Sequence, residues 1–407
     1  MNFLFAWRYF KAKKSTNAIN IIAWISILAI GVGASALILV LSVFNGFEDL
    51  VKSLYSSFYP DIRIGALSGK QITLTEQQLS RIRSVKGVSA ISLTVEEKAL
   101  LQNGDFQSIV YLKGVDDNYT RVTNVAGHIV KGNFDLGTAD RALLVLGAGV
   151  ENAVGVQSDR NIIPLLVHLP RKGSVDLSNP LQSISADTVN TSGTFVIQQD
   201  FDNKYVITNL GFMKAMLDLP PDNYGAAEIA IYPKEDPDIV RNRLRQLLGD
   251  KYKVQTRYQQ NQSLYAVMRA EKWVIYAILS LILIVAAFNM IGSLTMLVLE
   301  KKEDISVLFA LGSSNRLIQN IFLSEGLLLS VIGGGAGMLL ALVLALLQLQ
   351  YKLIPLTGGS FLIDYFPVKI NPWDFLLVAV TILVIATVAS YMPARKAAQQ
   401  RFLLREG

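Results

Sequence analysis

The sequence of 407 residues contains no cysteine and only two histidines. Without cysteine the chain can form neither a disulfide nor a thiolate metal site. His128 and His168 lie far apart with no ligand spacing around either, so both are interpreted as ordinary domain residues. The Walker A, H-E-x-x-H and G-x-S-x-G motifs are also absent. We therefore predict that this chain is not an enzyme, does not hydrolyse ATP itself and binds no cofactor or metal.

Charged residues are scarce as well. They make up 17% of the chain, against about 25% in soluble globular domains. Hydrophobic residues make up 51%, and the mean hydropathy is +0.38. This balance predicts membrane spans combined with a sizeable folded soluble part. The net charge of +6 does not indicate nucleic acid as a partner, because the basic residues near the spans cluster on one side, as orientation signals do.

Four long stretches are apolar enough to cross a membrane, for which a helix needs about 20 residues. The first uncharged run, from Ser15 to Phe47, is longer than needed, so its helix must tilt or project beyond the bilayer. A cleaved signal peptide is disfavoured, since its apolar region would be only about 7–15 residues long. The predicted spans are residues 19–47, 272–299, 317–350 and 373–394.

Basic residues in the short loops predict the orientation. They are frequent before the first span, between the second and third, and after the fourth, and these segments should therefore be cytoplasmic. The cytoplasmic segments are thus 1–18, 300–316 and 395–407, which places both termini inside. The external parts are the short loop 351–372 and a large insertion at 48–271. The basic residues concerned are Arg8, Lys11, Lys13, Lys14, Lys301, Lys302, Arg316, Arg395, Lys396, Arg401 and Arg405.

The insertion at 48–271 has the pattern of a mixed α/β domain. Thr75 with Gln78 forms a capping box that predicts a short helix. Val88–Leu101 and Phe106–Leu112 are predicted strands, joined by a type I′ turn at Asn103-Gly104. Residues 170–191 are polar and predict a long loop or a projecting hairpin, followed by a strand from Gly193. Pro237–Leu248 is a predicted basic amphipathic helix.

The segment between the second and third spans has helical spacing of apolar residues. Acidic residues at its start suit a helix N-terminus, and Gly312 suits a left-handed stop. Such a helix could lie flat on lipid or dock into a groove of a partner, and the pattern alone leaves both open. Its acids are Glu303 and Asp304, and its apolar stripe is Ile305, Leu308, Phe309 and Leu311.

Several motifs of the two membrane portions resemble a known family. The run E-K-K-E-D-I-S-V-L-F-A-L-G-S-S from Glu300, the run Ile321–Leu329 and P-A-R-K-A-A from Pro393 are similar to the FtsX-like/MacB-like permease superfamily of type VII ABC transporters. Trp7–Tyr9, Val43–Glu48 and Ala286–Ile291 resemble its lipoprotein-releasing LolC/LolE branch. The resemblance implies four transmembrane helices with a large MacB-like periplasmic α/β domain between helices 1 and 2, in a bacterial inner membrane.

The resemblance also implies partners. The segment after the second span would be a coupling helix on a separate ABC ATPase subunit, present in two copies, which holds the ATP and magnesium. The complex would contain a second permease, either the same chain or a paralogue. The coupling residues would be Glu303, Asp304, Ile305, Leu308, Leu311 and Gly312.

Members of the lipoprotein branch extract lipoproteins from the outer leaflet and pass them to a periplasmic carrier. The resemblance therefore makes membrane lipid, a lipoprotein and a carrier the expected partners. Candidate acyl-chain contacts are Val40, Val43, Phe44, Phe47, Phe288 and Met290. A carrier-binding loop would begin at Pro170, Arg171, Lys172 and Gly173, although its sequence differs from the hook of that branch and a plain loop is an equal alternative.

Two features of the third span have structural interpretations. Gly333 and Gly337 form a small-xxx-small face that predicts close helix packing, with the fourth span as the proposed partner. Glu325 is interpreted as a structural partner of a basic residue rather than a coupling residue. Two other functions from the same superfamily stay open at this point, namely a MacB-type efflux permease and an FtsX-type regulator of cell-wall hydrolases. Co-purification of an adaptor or of a hydrolase activator would distinguish them.

Overall fold

The computed structural model describes residues 17–160, 164–170, 184–356 and 365–399, with side chains from residue 21 onward. The helices in these ranges, in chain order, are α1 Asn17–Phe58, α2 Glu76–Arg83, α3 Tyr119–Val122, α4 Ala148–Val154, α5 Gln199–Asp202, α6 Leu210–Met216, α7 Pro237–Leu248, α8 Arg257–Gln260, α9 Gln262–Glu300, α10 Lys302–Ala310, α11 Asn315–Tyr351 and α12 Pro372–Gln399. Short 3₁₀ turns occur at Val125–His128 and Gly249–Lys251.

The described strands all belong to the insertion. They are β1 Ile62–Ala66, β2 Ile72–Thr73, β3 Val88–Asn103, β4 Phe106–Val115, β5 Ile129–Gly132, β6 Leu143–Gly147, β7 Leu165–Pro170, β8 Ile184–Phe195, β9 Tyr205–Asn209, β10 Asn223–Tyr224, β11 Ala226–Ile231 and β12 Tyr252–Thr256.

The chain divides into two compact units. One unit contains α1 up to residue 50, α9 from residue 266, and α10 to α12, and the other contains residues 51–265. Within the described ranges four helices are long and apolar enough to cross a membrane, namely α1, α9, α11 and α12. Each of them overlaps one of the four predicted spans. The two largest differences are that α1 continues past Phe47 to Phe58 and that α9 already begins at Gln262, ten residues before the predicted start.

Glycine-mediated contacts bring the helices of the first unit close together. A Cβ added at Gly333 of α11 would lie 2.6 Å from the Ile27 carbonyl oxygen of α1, and one added at Gly337 would overlap the Gly31 backbone. The small-residue face therefore packs against the first span, and the prediction that it faces the fourth was wrong. Contact between α11 and α12 uses Gly334 against Ile382 instead.

A pair of alanine substitutions tests this close packing. Gly337→Ala should lower the free energy of unfolding by about 1–3 kcal/mol, because the added methyl meets rigid backbone and the helices must separate. Gly335→Ala is the matched control. A Cβ there has no atom within 4 Å, so this change should be neutral or stabilise by up to about 1 kcal/mol. Thermal unfolding of the detergent-purified protein measures both, and equal melting temperatures would contradict the packing.

The inserted domain is built on one large mixed sheet. Its strand order is β12-β1-β11-β3-β4-β9-β6-β8-β5, with β7 paired to both β3 and β8. The pairs β4–β9 and β6–β8 are parallel, and the other pairs of this sheet are antiparallel. Two apolar cores pack against it, one around Leu112, Leu146 and Val167 and the other around Ile64 and Leu79. The fold class is thus the mixed α/β domain that the sequence predicts.

Local signals in the domain were mostly confirmed. The Thr75 capping box is formed, and α7 begins at Pro237 behind the Asp236 cap. The β3–β4 turn differs by one residue, because Asn103 pairs with Phe106 and leaves Gly104-Asp105 as the turn. Gly104 has φ +56° whereas Asp105 has a negative φ, which excludes the predicted type I′ geometry. Residues 170–191 include a hairpin, since β8 begins at Ile184 and pairs with β7.

The last turns of α1 are part of the inserted domain. The Phe58 ring stacks on Phe201 at 4.4 Å and contacts Tyr205 at 4.6 Å. Beside them, the buried Lys113 ammonium lies 2.8 Å from a Glu228 carboxylate oxygen and 5.1 Å from the Phe58 ring centre. Burial is the largest single influence and acts to lower the pKa of Lys113, but Glu228, Tyr119 and Glu96 together raise it more, and the net shift is upward. The ammonium therefore stays charged, and the pair fixes the helix end by packing and charge.

Candidate functional site

The short helix α10 is held at the end of the bundle where α9 ends and α11 begins. Its C-terminus is a Schellman motif, in which Gly312 has φ +88° and donates to Phe309 O, while Ser313 N donates to Leu308 O at 3.0 Å. The predicted left-handed stop at Gly312 is thus confirmed. Ser314 caps α11 by accepting a hydrogen bond from Leu317 N. These two caps leave a tight connection that fixes the direction of α10.

Some residues of the predicted apolar stripe of α10 are buried in the bundle, and others are exposed on its surface. Ile305 is only 2% exposed and belongs to the bundle core, with Phe309 packed beside it. In contrast, Leu311 is 78% exposed and Val307 is 55% exposed. Ile305 therefore anchors the helix to its own chain and cannot contact a partner directly. Val307, which lay outside the predicted stripe, joins the exposed face, and Leu308 is half-buried.

The acidic start of α10 is exposed. Glu303 and Asp304 both lie in the first turn, where carboxylates interact favourably with the helix dipole. Asp304 also pairs with Lys301 at 3.1 Å across one turn. The helix thus presents exposed carboxylates at one end and exposed Leu311 at the other.

The acyl-contact candidates on α1 lie near the insertion end of the bundle, which we define as the end where α1 leaves for the inserted domain and α9 returns from it. Val40 is 38% exposed, and Val43 and Phe44 are half-buried. Phe47 is different, because its ring packs edge-on against Phe366 at 5.8 Å. All four side chains on α1 therefore keep some exposed surface, although Phe366 covers part of the Phe47 ring. Val40, Val43 and Phe44 are the ones carried forward as acyl contacts.

The two acyl-contact candidates on α9, Phe288 and Met290, do not lie beside the candidates on α1. Met290 is fully buried in the bundle core, so it cannot contact an acyl chain from outside. Phe288 is 63% exposed but lies 15 residues along α9 from Trp273, roughly 22 Å from the insertion end at 1.5 Å per residue. It lines an apolar groove of about 520 Å³ between α9 and α12, together with Val388 and Met392.

The carrier-loop candidates are only partly within the described residues. Arg171, Lys172 and Gly173 lie outside them, whereas Pro170 ends β7 and pairs with Ile184 of β8. Pro170 borders an apolar groove of about 600 Å³. Ile109 in this groove is 75% exposed and Ile184 is 43% exposed.

Glu325 is buried in α11 at 1% exposure. No group of three metal-ligating side chains occurs among residues 17–160, 164–170, 184–356 and 365–399.

Two family models and two relatives of similar length agree with this architecture. The family described as FtsX-like permease C-terminal matches residues 276–401, and the MacB-like periplasmic core domain matches residues 23–162. The lipoprotein-releasing system transmembrane protein LolE of Haemophilus influenzae is 27% identical over 98% of this chain and 97% of its own length. LolC of Neisseria meningitidis serogroup B is 26% identical over 97% of this chain and 96% of its own. The periplasmic region of MacB from Actinobacillus actinomycetemcomitans has a TM-score of 0.37 at 10% identity, covering 53% of this chain and 98% of that one.

Four spans, a short helix between the second and third, and a MacB-like domain after the first define the class. The chain resembles permeases of the FtsX-like/MacB-like ABC transporter superfamily. Its four apolar helices and these relatives indicate a multi-pass inner-membrane protein with a periplasmic domain between its first two helices. Within that superfamily, LolC and LolE proteins of lipoprotein-releasing systems match it along nearly the whole chain, at 26–27% identity.

Proposed function

We propose that this chain is the permease subunit of an ABC transporter that extracts lipoproteins from the outer leaflet of the inner membrane and hands them to a periplasmic carrier. The observation that carries the proposal is the end-to-end similarity to transmembrane proteins of lipoprotein-releasing systems, which includes both the bundle and the inserted domain. In this proposal both termini are cytoplasmic, as the basic loops predict.

The energy comes from a separate ATPase subunit that binds α10. Exposed Val307 and Leu311 would fill an apolar groove of the ATPase, and Glu303 and Asp304 would meet basic residues at its rim. Because Ile305 fixes α10 to the bundle core, a displacement of α10 would pass to α9 and α11. Two ATPase copies, with their ATP and magnesium, would serve a pair of permeases.

The lipoprotein acyl chains would contact Val40, Val43 and Phe44 of α1. These side chains are apolar, accessible and near the insertion end, which is the depth of the outer leaflet in this orientation. Phe288 lies nearer the cytoplasmic leaflet, so we assign its groove to membrane lipid instead. The apolar groove beside Pro170 is the place on the periplasmic domain where a carrier would dock.

Reconstitution of the complex tests this function. The chain, its ATPase and a second permease are placed in proteoliposomes with a triacylated lipoprotein, and soluble carrier is added outside. We expect ATP-dependent transfer of lipoprotein to the carrier, and no transfer with a non-hydrolysable ATP analogue. Co-purification of an adaptor or a cell-wall hydrolase activator in place of a lipoprotein would contradict the proposal.

A further inference from the structure

Three polar side chains from three different helices meet at the insertion end of the bundle. The Asn45 side-chain amide of α1 donates to an Asp374 carboxylate oxygen of α12 at 2.5 Å. The Lys272 ammonium of α9 donates to the Asn45 amide oxygen at 2.8 Å and lies 3.6 Å from the other Asp374 oxygen. We call these three residues the polar joint.

The polar joint is largely shielded from solvent. Asn45 is 7% exposed and Asp374 is 6% exposed, whereas the Lys272 side chain keeps 26% of its surface open. Asn45 uses both its N–H and its C=O group, so it connects an anion on one side to a cation on the other. Separating α1 from α12 would leave a buried carboxylate without its amide donor, which is strongly unfavourable at the edge of a bilayer.

Further contacts run along the same stretch of α1. They involve the segment before α12, residues 365–371, which we call the connecting segment. Lys369 N donates to Ser42 O at 2.9 Å, and a Cβ added at Gly46 would overlap the Pro367 backbone. The Lys369 ammonium also pairs with Asp49 at 2.5 Å. The helix and this segment therefore touch through backbone and side chains over two turns.

The connecting segment is also attached to α11. The buried Gln348 amide donates to Phe366 O at 3.1 Å and to Ile354 O at 3.3 Å, and its oxygen accepts from Ile354 N at 3.0 Å. All of these residues belong to the same compact unit. The insertion end of α1 thus contacts α9 and α12 directly and is linked to α11 through the connecting segment.

We propose that the polar joint is a permanent connection, which makes the insertion ends of α1, α9 and α12 one rigid body throughout the transport cycle. Asn45, Lys272 and Asp374 are positioning residues that hold Val43 and Phe44 where an acyl chain can reach them. This last role rests on the proposed function, but the permanence of the connection does not. To separate α1 from α12 at the insertion end, several contacts within eight residues of α1 would have to break together. We therefore expect the two helices to stay in contact.

Crosslinking tests the permanence directly. The chain has no cysteine, so Asp49→Cys with Lys369→Cys gives one defined pair, and both positions are more than half exposed. The full permease–ATPase complex is treated with a short, reducible bis-methanethiosulfonate reagent, with and without vanadate-trapped nucleotide. We expect equal crosslinking yields in both states and a release rate within twofold of the uncrosslinked complex. Loss of release on crosslinking, restored by reducing agent, would mean that the joint opens in each cycle and would overturn the proposal.

Substitutions test the positioning role. Asn45→Ala and Asp374→Ala should each lower lipoprotein release about tenfold, and the double variant should lose no more than the worse single one, because both remove the same contact. Crosslinking the 49–369 pair in the Asn45→Ala background should recover release in proportion to the crosslinked fraction, which a general folding defect would not allow. Additive losses, or no recovery, would contradict the role.

Two outcomes separate this inference from the proposed function. If the wild-type complex releases no lipoprotein, the proposed function fails, and the crosslinking yields alone decide the joint. A yield that falls at least twofold in Asn45→Ala and in the milder Asp374→Asn supports the connection. An unchanged yield in both variants would show that the polar joint does not hold these segments together.

Discussion

Leu311→Asp should release the ATPase subunit from the complex while the permease still inserts and folds. The Leu311 side chain is 78% exposed at the end of α10, so the change removes no contact from the core of the chain itself. If the Leu311 side chain fills a groove of the ATPase, replacing it with aspartate removes the apolar contact. It also forces a charged carboxylate to lose its water of hydration on binding. Central interface positions of this kind cost about 2 kcal/mol or more, which corresponds to about a 30-fold loss of affinity.

Pull-down of the ATPase with tagged permease, at several protein concentrations, measures this loss. Asn315→Asp is the matched control, because it introduces the same charge at an exposed position just beyond the Ser314 cap, where a carboxylate suits the helix N-terminus. The control should retain the ATPase. Retention by Leu311→Asp as well would place the ATPase contact somewhere other than the exposed face of α10.

The elements of this fold that the sequence predicted best depend on residues only a few positions apart. The Thr75 capping box, the proline start of α7 and the Gly312 stop each need one turn of chain, so local chemistry determines them. The same locality explains the four spans, since length and lack of charge are enough. The β3–β4 turn was placed one residue too early because Asn-Gly favours type I′ geometry, whereas the strand pairing centres the turn on Gly104-Asp105.

Predictions failed where the partner of a residue lies far along the chain. A helical stripe shows which residues share a face but not which of two neighbours that face meets. Ile305 therefore could not be distinguished from Leu311, although one is buried in the bundle and the other is exposed. Met290, a candidate from the family resemblance, is likewise buried in the bundle core, which its place in the sequence does not reveal. Residue spacing could not predict the polar joint, because Asn45 and Asp374 are 329 positions apart in the sequence.

Phe44→Asp is expected to abolish most lipoprotein release and to leave the complex assembled. Phe44 lies on the accessible side of α1, one position before Asn45, and is half-buried rather than locked in the bundle core. A carboxylate at this site would meet an acyl chain with no counter-charge, at a cost of roughly 2.5–3.5 kcal/mol on insertion scales for a central membrane position. Half of that cost, about 1.3–1.8 kcal/mol, gives roughly a tenfold to twentyfold fall in acyl-chain affinity.

Leu376→Asp is the matched control at similar depth. Leu376 is 54% exposed on α12, two residues beyond Asp374, so it carries the same lipid-exposure penalty without facing the α1 surface that holds Phe44. Release in proteoliposomes, normalised to the amount of assembled complex, should fall at least tenfold for Phe44→Asp and less than threefold for Leu376→Asp. Equal losses in both variants would mean that added charge at this depth disturbs the bundle in general. Such a result would remove Phe44 from the acyl-chain path, because only a site that contacts substrate should distinguish the two helices.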